Sequence, residues 1–225
     1  MEELYNKLKQ YTIIDVIKIE ESDRQYIVLK KLSENIKNKE IYLSIILANS
    51  IICYQLSWKW EDYWEEFWEY FWEKNIEKNK ILEELWDFIK QSKNNKRFID
   101  TKIKRLEKLK PFLKSFIWNE EYFYDNMELL RNDLAKTMKQ KKDAKTIVFA
   151  VKMFSYWARN IYNKLNYFSE SINVPVDSRL ISLFEKYKWD YEDIDEFYYD
   201  LSKKLKIPEL HLDAIVWVNY DELIK

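Results

Sequence analysis

The 225-residue chain contains no glycine, three prolines, one cysteine (Cys53) and one histidine (His211). Without glycine there is no glycine-rich loop to cradle a phosphate, so Rossmann and Walker-type nucleotide sites are excluded. A lone cysteine excludes an internal disulfide and any cysteine-ligated zinc or iron–sulfur centre. With one histidine, a metal site would have to be all-oxygen, and a Ser-His-Asp triad would have to use His211; no metal and no cofactor are expected. The longest apolar run, Ser44 to Cys53, is interrupted by Asn49 and Ser50 and is too short to span a membrane. The first residues, Met1 to Gln10, are polar and show no secretory signal. The expectation is a cytoplasmic protein with no membrane partner.

What the chain does have is an ordinary globular balance, 47% hydrophobic and 34% charged, which argues against disorder. Lys, Asn, Ile and Tyr are plentiful, a composition that points to genome bias and lowers the weight of a lysine count. Net charge is −1, but it is polarised. Between Lys90 and Lys145 there are sixteen Lys and Arg against eight Asp and Glu. That is either a set of solvated helix faces or a track for a phosphate backbone.

Apolar residues recur at intervals of three and four along almost the whole chain, which predicts an all-α fold. Helices are expected near Glu3–Ile17, Asp23–Asn35, Ile41–Leu56, Glu61–Glu77, Ile81–Ser92, Thr101–Trp118, Glu121–Met138, Lys145–Tyr167, Ser178–Tyr187, Tyr191–Lys206 and Glu209–Ile224. Breaks fall at Asn94-Asn95, at Lys139–Lys142 and at Asn173-Val174-Pro175. No repeat or low-complexity linker divides the chain. Trp60, Trp64, Trp68 and Trp72 sit four apart on one helical stripe beside Trp58, and Phe67 and Phe71 widen it. Most of these are expected to form a packing seam, with room for one indole N–H to face a cavity.

Three fragments carry possible chemistry. The short stretch Lys139 to Lys145 lies between two helices and reads as a helix–hairpin–helix, whose second helix opens on Lys145-Thr146-Ile147-Val148-Phe149. Lys145 is then either a snorkelling surface residue or a partly buried amine suited to nucleophilic attack. Asp177, in Val174-Pro175-Val176-Asp177-Ser178-Arg179, stands where a helix N-cap belongs. Capping does not exclude catalysis, because amides that hold a carboxylate also keep it ionised and fixed. Asp213 and Trp217, four apart in Leu210-His211-Leu212-Asp213-Ala214-Ile215-Val216-Trp217, share a helix face, as do Lys145 and Phe149.

Together these fragments resemble the helix–hairpin–helix superfamily of DNA glycosylases. That superfamily places a lysine at the start of the second hairpin helix and an aspartate about thirty residues on. The Leu-His-Leu-Asp-x-x-x-Trp stretch is narrower and resembles the archaeal branch specific for 8-oxoguanine. Asp23-Arg24-Gln25-Tyr26 and Glu61-Asp62-Tyr63-Trp64 match two further stretches of that branch. Two residues depart from it. Lys139 stands where the hairpin normally has glycine, so the turn must either hold a strained residue or be reshaped. Cys53 stands where a serine is expected in the lesion pocket, and a thiol is the weaker donor.

The resemblance implies two closely packed helical subdomains with the active site in the cleft between them. Residues 1–225 would form a single catalytic unit, with the helix–hairpin–helix region at 121–167. It implies a bifunctional glycosylase/lyase, acting as a monomer on double- or single-stranded DNA that contains oxidised guanine. Lys145 would attack the sugar and Asp177 would be the essential carboxylate. Gln25, Cys53, Trp64, Phe149, Pro175, Asp213 and Trp217 would hold the flipped base, with Phe149 and Trp217 sandwiching its ring. Lys139, Lys141 and Lys142 would meet the DNA backbone. A lyase for another damaged base, and a non-catalytic helical DNA-binding or scaffold protein, are the competing readings.

Overall fold

The computed structural model describes residues 1–225 and contains helices but no strands. In chain order the helices are α1 (Glu2–Leu8), α2 (Ile13–Ser22), α3 (Arg24–Asn35), α4 (Ile41–Ile52), α5 (Trp60–Phe71), α6 (Ile81–Gln91), α7 (Ile99–Phe116), α8 (Glu120–Asp125), α9 (Met127–Met138), α10 (Lys145–Tyr162), α11 (Ser178–Tyr187), α12 (Ile194–Leu205) and α13 (Glu209–Leu223). No helix is long and apolar enough to cross a membrane. Packing divides the chain into two compact units. One comprises Met1–Asp23 with Tyr167–Lys225, and the other Arg24–Asn166.

The larger unit is built on α4. Its sequence, Ile-Tyr-Leu-Ser-Ile-Ile-Leu-Ala-Asn-Ser-Ile-Ile, has no polar face, and all twelve residues are buried. A helix apolar all round must be surrounded. Here α10, α7 and α6 pack on it, and α3 packs on α10 and α5. Near its end the Ser50 hydroxyl and the Asn49 amide oxygen find internal partners, while Asn49 Nδ2 has none. Ser50 Oγ donates to the Ile46 carbonyl at 2.7 Å, and the Tyr63 hydroxyl donates to Asn49 Oδ1. On α5 the buried seam is Tyr63, Trp64, Phe67 and Phe71 rather than the tryptophan stripe. Only Trp64 of that stripe is fully buried, while Trp72 is exposed and Trp58 lies 71% exposed ahead of the helix. Of the expected seam, Trp64, Phe67 and Phe71 are buried, Tyr63 joins them, and the other tryptophans lie along its margin.

The smaller unit brings α1 and α2 together with α11, α12 and α13 around Leu4, Leu8, Val16, Leu183, Phe197 and Ile215. The single helix expected over Glu3–Ile17 is two. Thr12 interrupts it by starting a capping box, its Oγ1 accepting from Asp15 N–H at 3.3 Å while Asp15 Oδ2 accepts from Thr12 N–H at 2.9 Å. Asn126 likewise divides the expected Glu121–Met138 helix, and Asn163 in the left-handed region ends α10 at Tyr162.

The helix–hairpin–helix is formed by α9, residues 139–144 and α10. Its turn is not reshaped by the missing glycine. Lys139 itself takes the left-handed conformation at φ 51°, ψ 49°. The turn closes with Lys139 N–H donating to the Lys136 carbonyl at 3.2 Å and Gln140 N–H to the Ala135 carbonyl at 3.0 Å. A side chain in that conformation costs about 1 kcal/mol or more. Replacing Lys139 by glycine should therefore raise stability by about 0.5–1 kcal/mol, a gain of about 1–4 °C in a chain of this size. Thermal unfolding of Lys139→Gly against the native chain measures this, and a lowered Tm would contradict it.

Candidate active site

The candidate residues fall into two groups, one in each unit. In the larger unit Lys145 is the first residue of α10 and its side chain is exposed. Of the two sequence readings, that exposure fits the surface residue rather than the partly buried one. One turn on, Phe149 is half-buried and meets Trp60 edge-on, with ring centroids 4.8 Å apart. Trp60 opens α5, and one turn further lies Trp64. Its indole is fully buried against Phe67 and Tyr63, yet its Nε1–H has no hydrogen-bond partner. Gln25 is buried in the first turn of α3. Cys53 follows the end of α4, and complete burial holds its thiol well above the ordinary cysteine range.

Beside Cys53 runs a buried polar chain that the sequence did not suggest. Lys102 donates to Asn95 Oδ1, and Asn95 Nδ2 donates to the Tyr63 hydroxyl at 3.3 Å. Burial pushes the Lys102 ammonium down to about 8. Lys139, Lys141 and Lys142 are all exposed on the hairpin.

In the smaller unit Asp177 is the N-cap of α11. Its Oδ1 accepts from Arg179 N–H at 3.0 Å and from Leu180 N–H at 3.1 Å. The capping reading therefore holds, and it leaves the carboxylate half-buried and oriented by two amides. The segment that carries Pro175 and Asp177 is tied to α13 at both ends. Ahead of Pro175, Val174 N–H donates to Glu209 Oε2 at 3.1 Å. Beyond Asp177, the Arg179 guanidinium lies 3.7 Å over the Trp217 ring and donates to the Trp217 carbonyl at 3.3 Å.

Glu209, Asp213 and Trp217 are spaced by four, so α13 presents them in one row. The charges of Asp177 and Asp213 both act on Tyr198, whose hydroxyl burial already holds far above the usual range. That hydroxyl donates to the Leu180 carbonyl at 2.7 Å, inside the first turn of α11.

His211 serves the frame. Phe168 N–H donates to its Nε2 at 3.2 Å, so the ring proton sits on Nδ1, 2.7 Å from Glu20 Oε1. The ring is fully buried with both nitrogens engaged, and no serine triad can be built on it.

Sequence reasoning missed Arg179, Trp60, Glu209 and the Lys102 chain. Two of these had a readable signal: Arg179 closes the quoted Asp177 fragment, and Glu209 stands one turn before Asp213.

A family model described as AGOG, N-glycosylase/DNA lyase, matches residues 5–224. An N-glycosylase/DNA lyase of Methanococcus maripaludis is 40% identical over 201 residues, covering 88% of this chain and 78% of its own length. One from Nanoarchaeum equitans is 37% identical over 211 residues, covering 93% and 86%. Among solved structures, the 8-oxoguanosine complex of an 8-oxoguanine DNA glycosylase from Pyrobaculum aerophilum superposes with a TM-score of 0.83. It is 22% identical, and the match covers 97% of this chain and 86% of that one.

Glu209 sets a pH dependence. It is 1% exposed, and desolvation, with a smaller contribution from Asp195, raises its carboxyl from 4.5 to about 7. The folded state thus holds a proton that the unfolded chain releases at lower pH, so this residue's contribution to stability falls as pH rises from about 4.5 through 7. Glutamine stays neutral throughout. The stability advantage of Glu209→Gln over the native chain should grow by on the order of 2–3 kcal/mol between pH 5 and pH 8. Urea unfolding at the two pH values tests this, and a constant difference would refute it.

Proposed function

The chain belongs to the AGOG family of N-glycosylase/DNA lyases, and on that premise we propose that it excises 8-oxoguanine from DNA, with Lys145 as nucleophile and Asp177 as the essential carboxylate. The observation that carries this reading is a continuous path in the larger unit. It runs from the Lys145 amine one turn along α10 to Phe149, across the ring contact to Trp60, and one turn along α5 to the partnerless N–H of Trp64. A reactive amine at one end and a buried, unused donor at the other suit a flipped nucleotide, sugar toward the amine and base toward the indole.

A base stacked in a duplex is out of reach, so the nucleotide must leave the helix. The exposed Lys139, Lys141 and Lys142, with the backbone amides of the hairpin, would hold the distorted phosphates. The Lys145 amine, in its neutral form, attacks C1′ of the sugar. The bond from C1′ to the base breaks, and its electron pair leaves with the base, which takes up a proton. Asp177, fixed by two amides, stabilises the positive charge that develops on the sugar and helps move protons. Ring opening gives a Schiff base on Lys145. Loss of a proton from C2′ then expels the 3′ phosphate by β-elimination.

Recognition of the lesion rests on polarity. 8-Oxoguanine carries N7–H and an O8 acceptor, where guanine has an N7 acceptor. An acceptor set against N7–H leaves guanine unpaired, at a cost of about 1–3 kcal/mol. Trp64 can only donate and so reads an acceptor on the base. Gln25 offers both donor and acceptor, Asp213 accepts from the N1–H and N2–H edge, and the Pro175 carbonyl accepts. Cys53 contributes a weak donor. Phe149 and Trp217 stack on the ring, Trp217 having the Arg179 guanidinium on its other face. In this reading the chain works as a monomer on DNA in the cytoplasm.

Borohydride trapping on a duplex containing 8-oxoguanine tests the chemistry. The native chain should form a covalent complex, and Lys145→Gln should form none while still binding the duplex. Trapping by that variant would remove Lys145 from the mechanism. Trp64→Phe tests the recognition step, since it deletes the donor and keeps most of the ring. Excision of 8-oxoguanine should slow roughly 5- to 150-fold, with strand cleavage at a ready-made abasic site unchanged. Equal losses on both substrates would make Trp64 a fold residue only.

A further inference from the structure

A charged side chain in the larger unit bridges three segments that the reaction needs, and the mechanism above does not use it. Arg105 lies at the middle of α7, half-buried. Its Nε–H donates at 3.1 Å to the carbonyl of Ile51, in the last turn of α4 and two residues before Cys53. One terminal nitrogen donates to Gln140 Oε1 at 3.0 Å and to Thr146 Oγ1 at 3.1 Å. The Thr146 hydroxyl also donates to Gln140 Oε1 at 3.3 Å, closing a small ring of bonds. The Tyr54 ring lies 5.2 Å from the guanidinium carbon.

None of these acceptors is a carboxylate. The arginine is therefore not there to neutralise a charge, and burial disfavours the charge it carries. What it supplies is geometry. A guanidinium holds five N–H donors in one rigid plane and can bond several acceptors at fixed angles, which a lysine ammonium on a flexible stem cannot do. The carbonyl it takes from α4 is one that the helix itself leaves without an N–H donor. The two side chains it takes from the hairpin flank Lys145. Gln140 sits in the turn, and Thr146 is the next residue along α10. Three residues further on α7, the Lys108 ammonium donates to the carbonyl of Met138, the last residue of α9. α7 thus grips the hairpin from both sides while holding the end of α4.

We propose that Arg105 is a positioning residue that locks the hairpin and the first turn of α10 to the end of α4, and so sets where the Lys145 amine stands. The need for such a lock follows from composition. A hairpin without glycine keeps its turn by straining Lys139, and a strained turn holds only when its surroundings over-determine it. The inference rests on Lys145 being the nucleophile.

The test compares the native chain with Arg105→Met, Arg105→Lys and the pair Gln140→Ala/Thr146→Val under single-turnover conditions. The substrates are an 8-oxoguanine duplex and a preformed abasic duplex. Arg105→Met should lose tenfold or more in maximal rate on both substrates, with the half-saturating enzyme concentration changed less than threefold. Lysine should fail to restore the rate. The hairpin pair should reproduce most of the loss without touching α7, so the lock stays testable if Arg105→Met folds poorly. Adding Arg105→Met to that pair should cost less than twofold more, since the same bonds are already gone. Amide exchange across residues 140–146 should quicken in every variant.

A maximal rate within twofold of native in both Arg105→Met and the hairpin pair would overturn the inference. A loss confined to half-saturation would overturn it too, because that marks a DNA contact. A native chain that forms no borohydride-trapped complex overturns the Lys145 reading and this role with it. A native chain that traps normally, beside variants of unchanged rate, overturns the role of Arg105 alone.

Discussion

The packing of α10 against α4 is the constraint on which the larger unit depends. α4 is apolar on every side and must be enclosed, and α10 is the long helix that lies most extensively along it. From Ile147 to Arg159, α10 is buried at every residue except the half-buried Phe149. Its first residue, however, is Lys145, in solvent. The rigid part of α10 therefore fixes the direction and depth at which its exposed end emerges. A nucleophile on a flexible loop would lose that registration, and reaction rates are sensitive to displacements of an ångström. The same burial accounts for Phe149, the point where the apolar face of α10 gives way to the α5 margin.

The absence of glycine spreads a second constraint over the molecule. Gln55, Phe98, Lys139, Asn163, Trp189 and Lys206 all hold positive φ. Three of the six close a helix end, Lys139 after α9, Asn163 after α10 and Lys206 after α12, while Phe98 stands before the start of α7. Helices must stop for the chain to turn, and the left-handed residue is a common way to stop them. Each non-glycine residue there costs about 1 kcal/mol or more, against a total stability of about 5–15 kcal/mol for a typical protein. The molecule meets that cost with packing, as the fully buried α4 and the aromatic seam of α5 illustrate.

Much of this was legible in the sequence because helical periodicity survives biased composition. The all-α class, the hairpin and the start of α10 at Lys145 were readable, and so were both bounds of α11 at Ser178 and Tyr187. Helix ends were less so. With no glycine to mark them, Asn126, Asn163 and the Thr12 capping box ended or interrupted helices that run on in apolar periodicity. The tryptophan stripe misled for a related reason. A spacing of four shows which residues share a face but not which face is turned inward, and on α5 the inward residues are centred on Tyr63, Phe67 and Phe71. Arg105 was invisible for a different cause, and of Glu209 only its place one turn before Asp213 was readable. Each matters through a partner distant in sequence, Thr146 and Val174 respectively, and local pattern holds no trace of that pairing.

The candidate residues also differ in how their function relates to stability. Asp177 caps α11, and the amides that make it a cap also orient its carboxylate, so in the proposed reaction a fold requirement and a chemical one would coincide in the same two hydrogen bonds. Trp64 is the opposite case. A buried indole N–H without a partner destabilises the free protein by about 1–3 kcal/mol, a penalty that a phenylalanine there would not incur. A site that keeps such a donor gives up folding energy and recovers it only when an acceptor arrives. An acceptor presented by the right base is then stabilised beyond what shape provides, and a base that presents none leaves the penalty in place. On the proposed reading, that asymmetry would turn an unsatisfied group in the core of α5 from a defect of packing into a means of discrimination.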